Sequence, residues 1–194
     1  GNFMEITVGI PAYNEENNIS KIIKKLQKIT NKIIVCDDGS SDSTAKIAKE
    51  MGALVIQHEK NLGYGSAIRS IFLKAREVKS ESLFTLDSDG QHRIEDIQTV
   101  IEPIKNGKSD LVIGSRFLDD NGKNVPKYRK MGIKILTTLA NTSLKQNITD
   151  SQSGFRGYGK RVIEEITPSE SGMGVSNEIL IKASKRGFQI TEVP

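Results

Sequence analysis

Short apolar runs alternate with longer segments of helical periodicity through the first two-thirds of the chain. Runs at residues 6–10, 32–36, 53–57, 82–86 and 110–114 are bounded by turn-forming residues and read as buried strands. Between them, residues 17–29, 43–51, 65–78 and 94–105 carry apolar side chains at helical spacing. Ile19, Ile22, Ile23, Leu26 and Ile29 make the clearest such stripe. Asp42 or Ser43 is placed to cap the second helix and Gly52 to end it. This order predicts an α/β fold, a mostly parallel sheet with helices on both faces. Beyond residue 116 the pattern loosens. Residues 117–128 read as a polar loop, 129–145 as a helix, 153–158 as a strand, 175–186 as a helix and 188–193 as a last strand.

A chain of 194 residues fits one domain with an ample core. Composition excludes more than it identifies. The net charge of +4 is spread out, and the densest basic run, Lys21, Lys24, Lys25 and Lys28, reads as one solvated helix face. With no Trp and few aromatics, the stacking platforms and basic stripe of a nucleic-acid binder are missing. Cys36, the only cysteine, falls inside a strand pattern and reads as a small core hydrophobe. It suits a reducing, cytoplasmic setting. No run approaches the roughly 18 apolar residues of a membrane-spanning helix.

The chemistry gathers at strand ends. Asp87-Ser88-Asp89-Gly90-Gln91-His92 follows the fourth strand, where open α/β sheets bind ligands. Its carboxylates and amide are hard oxygen donors suited to Mg²⁺ or Mn²⁺ shared with a substrate diphosphate. Taken alone, the cluster reads equally well as a turn. The other strand ends carry Pro11-Ala12-Tyr13-Asn14-Glu15-Glu16, Asp37-Asp38-Gly39-Ser40-Ser41-Asp42 and Asn61-Leu62-Gly63-Tyr64-Gly65. Ser41, Asp42 and Asn17 read as capping and turn residues. Acidic loops on one sheet edge would repel one another, so a cation or donor-rich ligand is expected among them. A dinucleotide-binding fingerprint is absent, since no glycine follows the first strand and Ile68 stands where the third glycine belongs; no phosphate-binding P-loop occurs either. Of the two histidines, His92 flanks the acidic loop and reads as structural.

These motifs, with Gly114-Ser115-Arg116 and Ser153-Gly154-Phe155-Arg156, occur in the order typical of family 2 glycosyltransferases. The chain resembles their dolichyl-phosphate mannose/glucose synthase branch from Glu5 to Pro194. The resemblance implies a GT-A fold with a Rossmann-like nucleotide-sugar-binding half at about 5–116 and an acceptor-side half at about 117–194. It further implies inverting transfer of a hexose from an NDP-sugar, GDP-mannose or UDP-glucose, to a polyprenyl phosphate, with a divalent cation. Pro11, Tyr13, Glu15 and Asp38 would line the nucleoside pocket. Asp87 and Ser88 would face the ribose and metal shell, and Asp89 and Gln91 would ligate the cation with Asp87 beside them. Arg116 would touch donor phosphate or sugar, and Arg129 the acceptor phosphate. An ionised lipid phosphate needs no strong general base to attack, and neither histidine is placed as one. The acceptor would bring the protein to the cytoplasmic membrane face. Relatives usually continue past the last strand with a basic segment, and many add membrane helices, so a further segment after Pro194 is expected. Two alternatives remain: a glycan acceptor, against which the lack of the Gln-x-x-Arg-Trp motif of polysaccharide-forming relatives argues, and a non-catalytic sugar-nucleotide-binding module.

Overall fold

The computed structural model describes residues 5–88, 93–115, 148 and 153–194. Its elements run β1 (Thr7–Ala12), α1 (Ile19–Leu26), β2 (Lys32–Asp37), α2 (Thr44–Glu50), β3 (Leu54–Gln57), α3 (Tyr64–Glu77), β4 (Ser82–Thr85) and α4 (Ile94–Lys105). They continue with β5 (Leu111–Gly114), β6 (Arg156–Gly159), α5 (Lys160–Glu165), α6 (Val175–Lys185) and β7 (Ile190–Val193). Each predicted element that falls on described residues is present, its ends within three residues of expectation. The expected loop at 117–128 and helix at 129–145 lie outside the described residues. Helix α1 falls furthest short of its expected length, with 8 residues. Its chain leaves the helix in tight turns, Lys28 N–H to the Lys25 carbonyl and Ile29 N–H to that of Leu26, although Ile29 still packs on the core. Helix α5 was not expected. It is a turn and a half whose Val162 and Ile163 are buried, too short for periodicity to reveal.

The described strands form one seven-stranded sheet in the order β3-β2-β1-β4-β6-β5-β7. All pairings are parallel except those of β6, which is antiparallel to both β4 and β5. Alternate side chains feed two cores. Ile33 and Val35 of β2 face α1, α2 and α4, while Ile34 and Cys36 face α3, α5 and α6. The expectation of helices on both faces holds. Cys36 is fully buried, and burial, with Asp38 nearby, pushes its thiol up to about 12. The core assignment is borne out. No helix among the described residues is long and apolar enough to cross a membrane.

Strand order reverses between β1 and β4: β2 and β3 lie on one side of β1, and β4 lies on the other. Pairing of β1 with β4 stops at Gly9, opposite Thr85, whereas pairing with β2 continues to Ala12. Pro11, lacking an N–H, therefore stands where β1 has only one neighbour. The two strands part from there, and a crevice opens at the switch point.

The second half of the chain reaches back to this edge. The Ser171 carbonyl accepts the Gly65 N–H at 2.8 Å and the Ser66 N–H at 3.2 Å, filling donors that the first turn of α3 leaves orphaned. A Cβ on Gly63 or Gly65 would run into the Ser171 or Glu170 carbonyl, and Gly63 has φ +111, so only glycine admits this strap. Glu178 holds the strap by accepting the N–H groups of Ser169 and Glu170, at 2.8 and 2.9 Å, and the Lys182 ammonium at 2.6 Å. Burial alone would raise its carboxyl, but these hydrogen bonds prevail and hold it down from 4.5 to about 2. Arg76 of α3 anchors the strap's start, donating to the carbonyls of Ile163 and Ile166 and to the Thr167 hydroxyl.

Because Glu178 is depressed on folding, its contribution is complete above about pH 4.5 and is lost as pH falls through about 2. Glu178→Gln should destabilise the protein by about 1.5–3 kcal/mol at neutral pH, the range for hydrogen bonds to a charged group. Urea unfolding of both forms should show this gap narrowing as pH drops through that window. A gap constant with pH would show that the carboxylate does not hold the strap.

Candidate active site

The parted ends of β1 and β4, the loop after β2 and the start of α3 enclose a cleft of about 390 Å³. Pro11, Tyr13, Glu15, Asp38, Asp87 and Ser88, all assigned from sequence, line it. Asp89, Gln91, Arg116 and Arg129, with His92, lie outside the described residues. Asn61, Tyr64, Gly154 and Met173 also line the cleft and were not assigned. The Asn61-x-Gly63-Tyr64-Gly65 motif carried a signal for two of them. Met173 comes from the strap and had none.

The loops after β1 and β2 are stapled to each other. Asn14 N–H donates to the Ser40 hydroxyl at 2.8 Å, and the Asn14 side-chain oxygen accepts the Ser41 N–H at 2.9 Å. Asp42 accepts the N–H groups of Glu16 and Thr44, and Glu16 accepts that of Ser43. Asp37 accepts the Ser40 N–H at 3.2 Å. Asp42 thus does the capping foreseen for it, from one residue before the helix N-cap, Ser43. Glu16 and Asp42 are thus paired with backbone donors and call for no cation of their own.

Asp38 is firmly held. One oxygen, Oδ1, accepts the Leu62 N–H at 2.9 Å and lies 2.8 Å from His58 Nδ1; Oδ2 accepts the Gly63 N–H at 2.9 Å. His58 Nε2 lies 2.8 Å from the Ser70 hydroxyl on α3. His58 is therefore a largely buried brace between the loop after β2 and α3. Nearby, the glycine pair of the third loop holds a protein carbonyl on the start of α3, where a phosphate-binding loop would hold its anion.

At the other end of the cleft, Gly154 brings the β6 approach against Asp87 and Tyr64. A Cβ there would lie 2.7 Å from the Tyr64 hydroxyl and 2.9 Å from Asp87 Oδ1. Burial, and then the charge of Asp87, raise the Tyr64 phenol, with Arg156 opposing. Tyr64 is therefore a neutral hydrogen-bonding group beside a carboxylate. Arg156, whose motif carried much of the resemblance, is buried in β6. Its guanidinium donates to the carbonyls of Ser153 at 2.8 Å and Ser176 at 3.0 Å, so it joins the approach to β6 onto α6. Only glycine at position 154 admits this close approach to Asp87 and Tyr64. The carboxylate of Asp87, with those of the motif that follows it, is chemistry suited to a small hard cation. Among the described residues, no group of three or more His, Cys, Asp or Glu side chains could hold a metal.

Comparison with known proteins agrees with this architecture. The chain is 35% identical over 206 residues to a UDP-N-acetylglucosamine–dolichyl-phosphate N-acetylglucosaminyltransferase of Methanococcus voltae, covering 95% of this chain and 82% of that protein. It is 32% identical over 195 residues to a dolichyl-phosphate hexose transferase of Haloferax volcanii, covering 99% and 82%. Glucosyl-3-phosphoglycerate synthase from Mycobacterium tuberculosis, solved with Mn²⁺, UDP-glucose and phosphoglyceric acid, superposes with a TM-score of 0.76. That match, at 22% identity over 98% of this chain and 69% of the other, shows the shared GT-A fold. The model of the family described as Glycosyl transferase family 2 matches residues 7–167. That match spans most of the chain and takes in the switch-point cleft, and the chain belongs to the family 2 glycosyltransferases.

Proposed function

We propose that this glycosyltransferase moves a hexose, with inversion, from a nucleoside diphosphate sugar to a polyprenyl phosphate such as dolichyl phosphate. The observation that carries the reading is the polarity of the cleft. Asp38, braced by His58, stands at one end, and Asp87 stands at the other. The dolichyl-phosphate transferases among the relatives support the acceptor class. The nucleoside lies along Pro11, Tyr13 and Glu15, with Tyr13, half exposed, free to stack on the base. Asp87, Asp89 and Gln91 would hold Mg²⁺ or Mn²⁺, which supplies charge neutralisation for the departing diphosphate. Ser88 sits in the same shell.

What the chain itself does follows from its charges. Arg116 binds donor phosphate and stabilises negative charge as the nucleoside diphosphate leaves. Arg129 binds the acceptor phosphate and holds one ionised oxygen toward the anomeric carbon. That oxygen forms the new bond as the bond to the donor diphosphate breaks. No proton has to be removed, which agrees with a cleft whose described histidine is tied to Asp38 and Ser70. Membrane attachment comes through the lipid acceptor.

Asp89→Asn should lower transfer at least a hundredfold while leaving thermal unfolding unchanged. It should also abolish the Mn²⁺-dependent gain in nucleotide affinity measured by calorimetry. Full activity in excess chelator would overturn the metal assignment.

A short polyprenyl phosphate and the matching polyprenol, offered with one donor, separate the acceptor readings. Transfer to the phosphate alone is expected, and Arg129→Ala should weaken phosphate binding and flatten its salt dependence. Equal transfer to the alcohol would overturn the base-free reading, since an alcohol must lose a proton to attack.

A further inference from the structure

We propose that Met173 is both a donor-contact residue and an oxidation site: its thioether packs on the bound nucleotide, and conversion to the sulfoxide loosens that hold. This rests on the reading of the cleft as a nucleotide-sugar site and adds a wall residue and a sensitivity to peroxide. Among the described residues, Met173 is the most exposed large apolar side chain, at 60%, yet it lines the cleft. The backbone on either side of it is fixed. Two residues earlier, the Ser171 carbonyl accepts the Gly65 and Ser66 N–H groups; two residues later, Val175 is buried at the start of α6. The strap also lies against Gly63, whose N–H is bonded to Asp38, so Met173 is tethered at the Asp38 end of the cleft.

A side chain held this way gains little from the protein's own core. Its apolar surface leaves water only when the cleft takes up a ligand, and that burial then adds to ligand affinity. The flat face of a nucleobase suits it, because an unbranched, polarizable thioether adapts its shape and makes favourable contacts with aromatic rings. Tyr13, half exposed in the same cleft, offers the base a second apolar surface. Exposure also makes Met173 reactive. The sulfur takes one oxygen atom from a peroxide as the O–O bond breaks; sulfur gives up two electrons, and the peroxide is reduced to water. The sulfoxide is polar, and its oxygen must shed water to lie against a base, which costs affinity. A bound nucleotide covers the same sulfur, so ligand and oxidant compete for it. Met51, half-buried against the core beneath α1 and α2 and not part of the cleft wall, is the internal reference.

The test exposes the unmodified protein to hydrogen peroxide, with and without saturating UDP or GDP in Mg²⁺, and follows sulfoxide at each methionine by peptide mass spectrometry. Met173 should oxidise faster than Met51 in the free protein and slow about fivefold or more with nucleotide bound, while Met51 keeps its rate. By calorimetry, the oxidised protein should bind nucleotide about fivefold more weakly, the scale of one lost apolar contact, at an unchanged unfolding temperature. Met173→Leu should keep its affinity through the same treatment. A Met173 oxidation rate that saturating nucleotide leaves unchanged would overturn the contact. Equal affinity before and after oxidation, or a loss that Met173→Leu shares, would overturn the oxidation site. Each of these leaves the nucleotide-sugar reading intact. If neither nucleotide binds the untreated protein, both readings fail together.

Discussion

Everything at the candidate site follows from the point where β1 loses its second neighbour. Backbone groups in a buried sheet must be paired, so two adjacent parallel strands can separate only where the chain tolerates an unpaired edge. Pro11 meets that requirement with no N–H to strand, and the reversal of strand order puts the separation at the carboxyl edge. The loops that emerge there are forced to face one another. Their polar side chains become wall material before they become ligands, as the bonds linking the loops after β1 and β2 show.

That ordering of duties distinguishes the acidic residues of the site. Glu16, Asp42 and Glu178 are consumed by backbone donors and define loop shape. Asp38 accepts two backbone N–H groups and lies against His58, so it joins loop to helix. Asp87 packs closely against Gly154. Carboxylates that look equivalent along the chain thus differ in what they can still accept, and the difference is set by which N–H groups the fold delivers to each.

The alternating strands and helices were legible because each is amphipathic or wholly buried on its own. The stripe of α1 and the apolar β2 needed no knowledge of the rest. The antiparallel insertion of β6 was not legible. Its Arg-Gly-Tyr-Gly sequence has weak strand character, and its place between β4 and β5 depends on Gly157 passing the Phe84 ring and on the buried Arg156 finding carbonyls far along the chain. Of the residues read from motifs, Pro11, Tyr13, Glu15, Asp38, Asp87 and Ser88 line one cleft. His58 as the brace of Asp38 was not foreseen, because the two residues meet only through folding and their 20-residue separation has no period. Met173 and the strap escaped for the same reason, in a segment that reads as an ordinary polar turn.

The seating of Ser171 on the first turn of α3 has a consequence for how the chain is made. Residues 64–66 leave the ribosome more than a hundred residues before the carbonyl that caps them, and the helices that complete the core around Ile71 and Phe72 arrive in that same late stretch. Until residue 171 has emerged, the nascent first half carries an uncapped helix and an open apolar face. The cleft can close around a ligand only after that, so a chain halted earlier exposes surface that invites chaperones or proteases before it can compete for sugar nucleotide.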